Sequence, residues 1–233
     1  MYNIIQMDII NKIRNSIIIS VQAMPNEPLY KEECMNAMIK SVLKGGAKAL
    51  RLAGSRDIKN AKRFSHVPII GLTKPEVIPK NWQKIVYITP GIKEVSELIN
   101  AGADIIALDG TSRPRGQDNL RKLIKIIEMN KKISMADIST ISEAIAARTL
   151  GFDIISTTLS GYTQNSSNNS DEPDFKLLEQ AVKILDCPII LEGRIWTPEQ
   201  VKKAFDIGAH AVVIGSAVTR PQLIVKRFYT QIK

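Results

Sequence analysis

Residues 133–156 read ISMADISTISEAIAARTLGFDIIS. Residues 133–136 are apolar on both faces, which suits a strand covered on both sides. Residues 141–150 carry the helical spacing of apolar positions, and Gly151 closes them with a C-cap signal. Residues 154–156 are again a short apolar run. This is a strand, a crossover helix and a parallel strand, the unit from which α/β folds are built.

Working outward, the same alternation covers the chain. Short runs rich in Ile and Val fall at 17–21, 49–52, 68–72, 85–88, 105–108, 133–136, 154–156, 188–191 and 211–214. Helical stretches lie between them. Residues 31–43 put Met35, Met38, Ile39 and Val42 on one face, and residues 198–207 follow Thr197, an N-cap with Pro198 in the first turn. Gly45-Gly46 and Gly208 mark helix ends. One of the nine runs is surplus to an eightfold repeat. Residues 85–88 follow Leu72 too closely, across Pro75 and Pro79, for a crossover helix to fit. They read as an excursion after the third strand. The expected fold is therefore a (β/α)8 TIM barrel of parallel strands in a single domain over residues 1–233, with a doubly wound sheet as the competing arrangement.

Composition agrees with one globular domain. The chain has 233 residues, 44% hydrophobic and 24% charged, and no apolar stretch approaches the ~20 residues of a membrane helix. The N-terminus does not read as a secretory signal, since Asn11, Lys12 and Arg14 interrupt it. Cys34 and Cys187, far apart in sequence, read as reduced thiols of a cytoplasmic protein rather than a disulfide framework. His66 and His210 lack the spacing of a zinc site, so no metal is expected. The net charge of +9 is scattered, without arginine-rich tails or interleaved aromatics, and reads as a solvated basic surface in preference to a nucleic-acid site. Residues 163–173, TQNSSNNSDEP, form a polar low-complexity loop after the sixth strand, read as a tolerated surface insertion in preference to a lid.

Polar residues collect where the strands end. Gln22, Arg51, Lys74, Asp109, Asp137, Thr157-Thr158, Glu192 and Gly215-Ser216 each sit at or just past the C-terminal end of a run. In a barrel these ends converge on one pocket. Asp109 and Asp137 taken singly are equally well helix caps. Lys74 is either a solvated amine, a base whose pKa falls on burial, or a Schiff-base nucleophile. Glu192 is either a cap or a second proton-transfer group. Gly193 and Gly215 let backbone N–H groups approach an anion after strands seven and eight, where barrels hold phosphate. Arg194 and Arg220 would add charge-assisted hydrogen bonds.

The blocks SVQAMPNEPLY (20–30), GLTKPE (71–76), YITP (87–90), ALDGTSRPRG (107–116), MADIST (135–140), DIISTTLSGYT (153–163), LEGRIWTPEQV (191–201) and VIGSAVTRP (213–221) carry a resemblance. In order and spacing they resemble the N-acetylmannosamine-6-phosphate 2-epimerase family over nearly the whole chain. The resemblance implies an isomerase that interconverts N-acetylmannosamine 6-phosphate and N-acetylglucosamine 6-phosphate in amino-sugar catabolism, inverting C2 by deprotonation and reprotonation. It implies no metal or organic cofactor, and a homodimer. By the same matching Lys74 is the base and Glu192 the acid or orienting partner. Gln22, Arg51, Asp137 and Arg220 would contact the sugar and its N-acetyl group, and Gly193, Arg194, Gly215 and Ser216 would cradle the phosphate. Departures are S-V-Q for the family's S-C-Q, G-L-T-K for G-I-I-K, D-G-T for D-A-T, and the polar insertion. A non-catalytic sugar-phosphate-binding barrel and a Schiff-base aldolase using Lys74 are the alternatives.

Overall fold

The computed structural model describes residues 4–116, 118–167, 170–230 and 232. Eight parallel strands close into a barrel: β1 (Ser16–Val21), β2 (Ala49–Ala53), β3 (Ile69–Leu72), β4 (Ile105–Asp109), β5 (Ile133–Asp137), β6 (Ile154–Ser156), β7 (Ile189–Glu192) and β8 (Ala211–Ile214). They pair in sequence order, and β8 returns to β1 in the register Ser16↔Ala211 to Ile19↔Ile214. Closure excludes the doubly wound sheet.

Crossover helices cover the outside: α2 (Glu32–Lys44), α3 (Ser55–Phe64), α4 (Ile92–Ala101), α5 (Leu120–Met129), α6 (Ile141–Leu150), α7 (Phe175–Ile184) and α8 (Pro198–Ile207). Their starts are chemically marked. Thr140 and Thr197 form capping boxes with Glu143 and Gln200, while Asn119 and Asp174 cap α5 and α7. Gly151 and Gly208 end α6 and α8 in the left-handed conformation. At the end of α2 that conformation belongs to Gly46, with φ 98°, and not to Gly45, with φ −73°.

Two apolar layers follow from the two faces of each strand. Leu50, Leu52, Ile106, Leu108, Ala136, Ile155, Leu191 and Val212 point outward and pack under the helices. Ile18, Ala49, Ile70, Leu72, Ile105, Ala107, Ile133, Met135, Ile154, Ile190, Ala211 and Val213 fill the barrel interior. An N-terminal helix the sequence reading did not anticipate, α1 (Ile4–Ile13), closes the bottom with Ile10 and Ile13. His210 Nε2 lies 2.9 Å from the Ile10 carbonyl, and Asn15 N–H donates to the His210 carbonyl, tying this plug to β8.

Residues 85–88 are not a strand, as expected. The segment between β3 and α4 rises over the barrel mouth instead. Thr89 N–H donates to the Thr73 carbonyl and Val86 N–H to that of Pro114, while Ile88 joins the interior cluster. Trp82 and Tyr87 meet edge to face at 6.5 Å between centroids. The chain ends in a short helical turn, α9 (Ser216–Thr219), and in α10 (Pro221–Tyr229).

Candidate active site

Side chains alternate along a strand, so inward-facing positions recur every second residue. Above the interior layers that parity delivers Gln22 from β1, Arg51 from β2, Lys74 beyond β3, Asp109 from β4, Asp137 from β5, Thr158 beyond β6 and Glu192 from β7. They meet at or under a cavity of about 980 Å3 at the C-terminal end of the barrel. Gln22, Lys74, Thr158, Glu192, Gly193, Arg194, Gly215, Ser216 and Arg220 line it. Tyr87, Trp82, Tyr162 and Trp196 give it aromatic walls, a feature the sequence reading missed because these residues come from loops distant in sequence.

Lys74 Nζ donates to Gln22 Oε1 at 2.7 Å, and Gln22 Nε2 donates to Ser20 Oγ at 2.8 Å, which orients the amide. Lys74 is reached by solvent through the cavity, yet protein surrounds its ammonium on the other sides. That withdrawal from bulk water, helped by the positive charges of Arg51 and Arg220, lowers its pKa from 10.5 to about 8. Glu192 moves the other way. Burial, followed by the negative charge of Asp137, lifts its pKa to about 7 against the opposing pull of Arg51, Thr158 and Lys74.

Arg51 and Asp137 are buried, 1% and 0% exposed, and lie beneath the floor of the cavity. Arg51 Nη1 and Nη2 donate to Asp137 Oδ1 and Oδ2 at 3.2 and 2.6 Å. Arg51 Nε lies 3.3 Å from Glu192 Oε1 and makes no hydrogen bond. Asp137 therefore does not cap a helix; α6 is capped by Thr140. Asp109 is no cap either. It accepts from the N–H and hydroxyl of Thr111 and pairs with Arg113, whose Nη1 donates to the Trp82 carbonyl at 2.7 Å. This network fixes the loop after β4 against the excursion that follows β3.

The arginines at the rim are engaged. Arg194, with φ 57°, donates from Nε to the Glu172 carbonyl at 2.8 Å and from Nη1 to the Ser160 carbonyl at 2.6 Å, and lies 5.5 Å from the Tyr162 ring centroid. Arg220 donates from Nη2 to Glu27 Oε1 at 2.5 Å, and its Nε is buried without a partner. Glu27 also accepts from Met24 N–H and Gln222 Nε2, and these bonds together with Arg220 hold its carboxyl below the usual range despite partial burial. Sequence reasoning missed Glu27. Its signal was a lone carboxylate in the first loop opposite a lone arginine after the eighth strand.

The polar loop is more than a surface insertion. Thr163 is buried and donates to Ser139 Oγ at 2.9 Å, and Gln164 N–H donates to the Gln83 carbonyl. Ser170 and Asp171 line the cavity. Residues 168 and 169 of that loop lie outside the described residues. Among the described residues, no group of three His, Cys, Asp or Glu side chains is placed to hold a metal ion.

The family profile described as "Putative N-acetylmannosamine-6-phosphate epimerase" matches residues 35–233. A Clostridioides difficile protein named "Putative N-acetylmannosamine-6-phosphate 2-epimerase" is 43% identical over 226 residues, covering 96% of this chain and 99% of its own. The chain belongs to the N-acetylmannosamine-6-phosphate 2-epimerase family. A family member of the same name from Caldanaerobacter subterraneus is 47% identical over 232 residues, covering 98% of this chain and 95% of its own. The solved N-acetylmannosamine-6-phosphate 2-epimerase of Clostridium perfringens superposes with a TM-score of 0.89 at 44% identity, covering 96% of each chain. The barrel also matches thiamine phosphate pyrophosphorylase of Pyrococcus furiosus, TM-score 0.59 at 15% identity and 94% and 98% coverage, a likeness of fold alone.

Proposed function

We propose that the chain interconverts N-acetylmannosamine 6-phosphate and N-acetylglucosamine 6-phosphate, with Lys74 as base and Glu192 as acid. The observation that carries the reading is an amine of lowered pKa and a carboxyl of raised pKa facing one cavity, each near neutrality. Neutral Lys74 takes the proton from C2 of the open-chain sugar. The C–H electron pair moves into the C1–C2 bond and onto the carbonyl oxygen, which receives the proton of Glu192. The enol turns about its C2–C3 bond to offer its other face to Lys74, whose ammonium returns a proton to C2 while Glu192 takes back the enol proton, which gives the epimer. Arg51 and Asp137, paired with each other beneath the floor, act on Glu192 in this reading, and Gln22 orients Lys74.

The phosphate end is assigned to the loops after β7 and β8. Gly193, with φ 111°, Gly215 and Ser216 line the cavity there, the glycines without a side chain and Ser216 with a hydroxyl. Arg194 serves this end by tying the Ser160 and Glu172 carbonyls together through its guanidinium. Arg220, held by Glu27, keeps its Nε free to donate. Fixing the phosphate there positions C2 against Lys74.

Proton NMR with N-acetylmannosamine 6-phosphate in heavy water tests the reading. The N-acetylglucosamine 6-phosphate signals should appear with loss of the C2 proton. Lys74→Ala should remain folded and lose at least about a hundredfold in exchange. Exchange persisting in Lys74→Ala would remove Lys74 as the base, and binding without exchange in the wild type would favour a non-catalytic barrel.

The partner expected from sequence, a second copy of this chain, is supported by α10. No residue of that helix is buried, and Val225, Phe228 and Tyr229 are exposed on it. A cytoplasmic setting is supported by Cys34 and Cys187, both free. Among the described residues, no helix is long and apolar enough to cross a membrane.

A further inference from the structure

At the floor of the cavity the hydroxyl of Thr158 stands between two carboxylates. Its Oγ1 lies 2.7 Å from Asp137 Oδ1, 3.0 Å from Glu192 Oε2 and 2.9 Å from Ser156 Oγ. The neighbouring Thr157 holds the backbone of Glu192 instead: its Oγ1 donates to the Glu192 carbonyl at 3.0 Å and accepts from the Glu192 N–H at 3.1 Å. Two consecutive threonines at the end of β6 thus secure the main chain and the side chain of one residue on β7.

A threonine hydroxyl has one hydrogen and two lone pairs. It donates to one carboxylate at a time. With Glu192 protonated and its proton turned to the substrate, Thr158 keeps its hydrogen on Asp137, the nearer carboxylate oxygen. With Glu192 ionised, the hydrogen is needed on Glu192. Asp137 can release it, because both of its oxygens keep a bond from Arg51. We infer that Thr158 is a positioning residue for the epimerisation, turning its single hydrogen from Asp137 to Glu192 as Glu192 gives up its proton. The groups that otherwise face Glu192 are Arg51 from β2, Lys74 beyond β3 and Asp137 from β5. Of these and Thr158, Arg51 and Asp137 keep their charge and Lys74 changes its own, whereas Thr158 meets the ionised carboxylate by turning one hydrogen, without a change of charge.

The inference rests on Glu192 being the acid of the proposed reaction, and its test separates the two. Thr158→Val removes the hydroxyl at nearly constant volume, and Thr158→Ser keeps it. Infrared titration follows the Glu192 carboxyl, assigned by its absence in Glu192→Gln. In Thr158→Val the ionised form loses a donor, so the titration should move up by about one pH unit. The rising limb of the kcat/KM profile should move with it while KM stays within about threefold, and Thr158→Ser should restore both. A titration unmoved in Thr158→Val, or displaced equally in Thr158→Ser, overturns the inference. Full turnover by Glu192→Gln would instead dismiss Glu192 as the acid, and the infrared titration would still judge Thr158.

Discussion

In the proposed reaction the pH response is set by two side chains whose environments act in opposite directions. The working form needs Lys74 neutral and Glu192 protonated, so it holds one proton across the pair, as the ammonium–carboxylate form does. With values of about 8 and about 7, the working form is about one tenth of the singly protonated pair. Activity therefore rises as the doubly protonated pair loses its first proton near pH 7 and falls as the second leaves near pH 8. A bell-shaped kcat/KM profile with its optimum between those values is expected from initial rates. A flat profile from about pH 6 to about pH 9 would refute the pairing. Lys74 was legible in the sequence, since it is the one lysine just past a strand end. The hydrogen bonds that tune the pair were not. Arg51 and Asp137 are 86 residues apart, Thr158 and Glu192 34, and Glu27 and Arg220 193. Periodicity carries no signal for such pairings.

At the scale of elements, the strand parity that fills the interior with Ile, Val and Ala also aims the polar residues. In β4 and β5, Ile105, Ala107 and Asp109 face inward, as do Ile133, Met135 and Asp137, and the register pairs Asp109 with Asp137. On the opposite face of β3, Gly71 is packed closely by α3, α4 and the turn after α4. A Cβ there would meet Ala103 Cβ at 2.8 Å, Ile58 Cδ1 at 3.0 Å and Leu98 Cδ2 at 3.2 Å. Gly71→Ala should therefore destabilise the fold by about 1–3 kcal/mol through overpacking, measured by urea unfolding. Unchanged stability would mean that α3 and α4 yield freely. Caps made element boundaries readable: Thr197-Pro198 and Gly208 bracket α8 as anticipated. The amphipathicity of α1 is interrupted by Asn11 and Lys12, so it went unread.

For the whole molecule, barrel closure leaves α10 without a buried residue. If two copies pair through it, replacing Val225 and Phe228 by Asp should convert a dimer to a monomer in sedimentation experiments. The barrel should survive, because neither side chain is buried in it. A wild-type chain that sediments as a monomer would dismiss the pairing. The net charge of +9 acts at this scale too. It favours the approach of an anionic sugar phosphate, and added salt should lower kcat/KM more than kcat.

The sequence by itself determined the eightfold repeat, the surplus run at 85–88 and the residues at the strand ends. These are local matters of period, cap and spacing, which neighbouring residues settle among themselves. Only the tertiary structure decided that Arg51 and Asp137 lie beneath the floor, that Arg194 and Arg220 are already engaged, and that the loop after β6 walls the cavity. It also brought one threonine hydroxyl between two carboxylates. Those outcomes depend on which buried polar atoms find partners once the barrel closes. Closure joins residues from opposite ends of the chain.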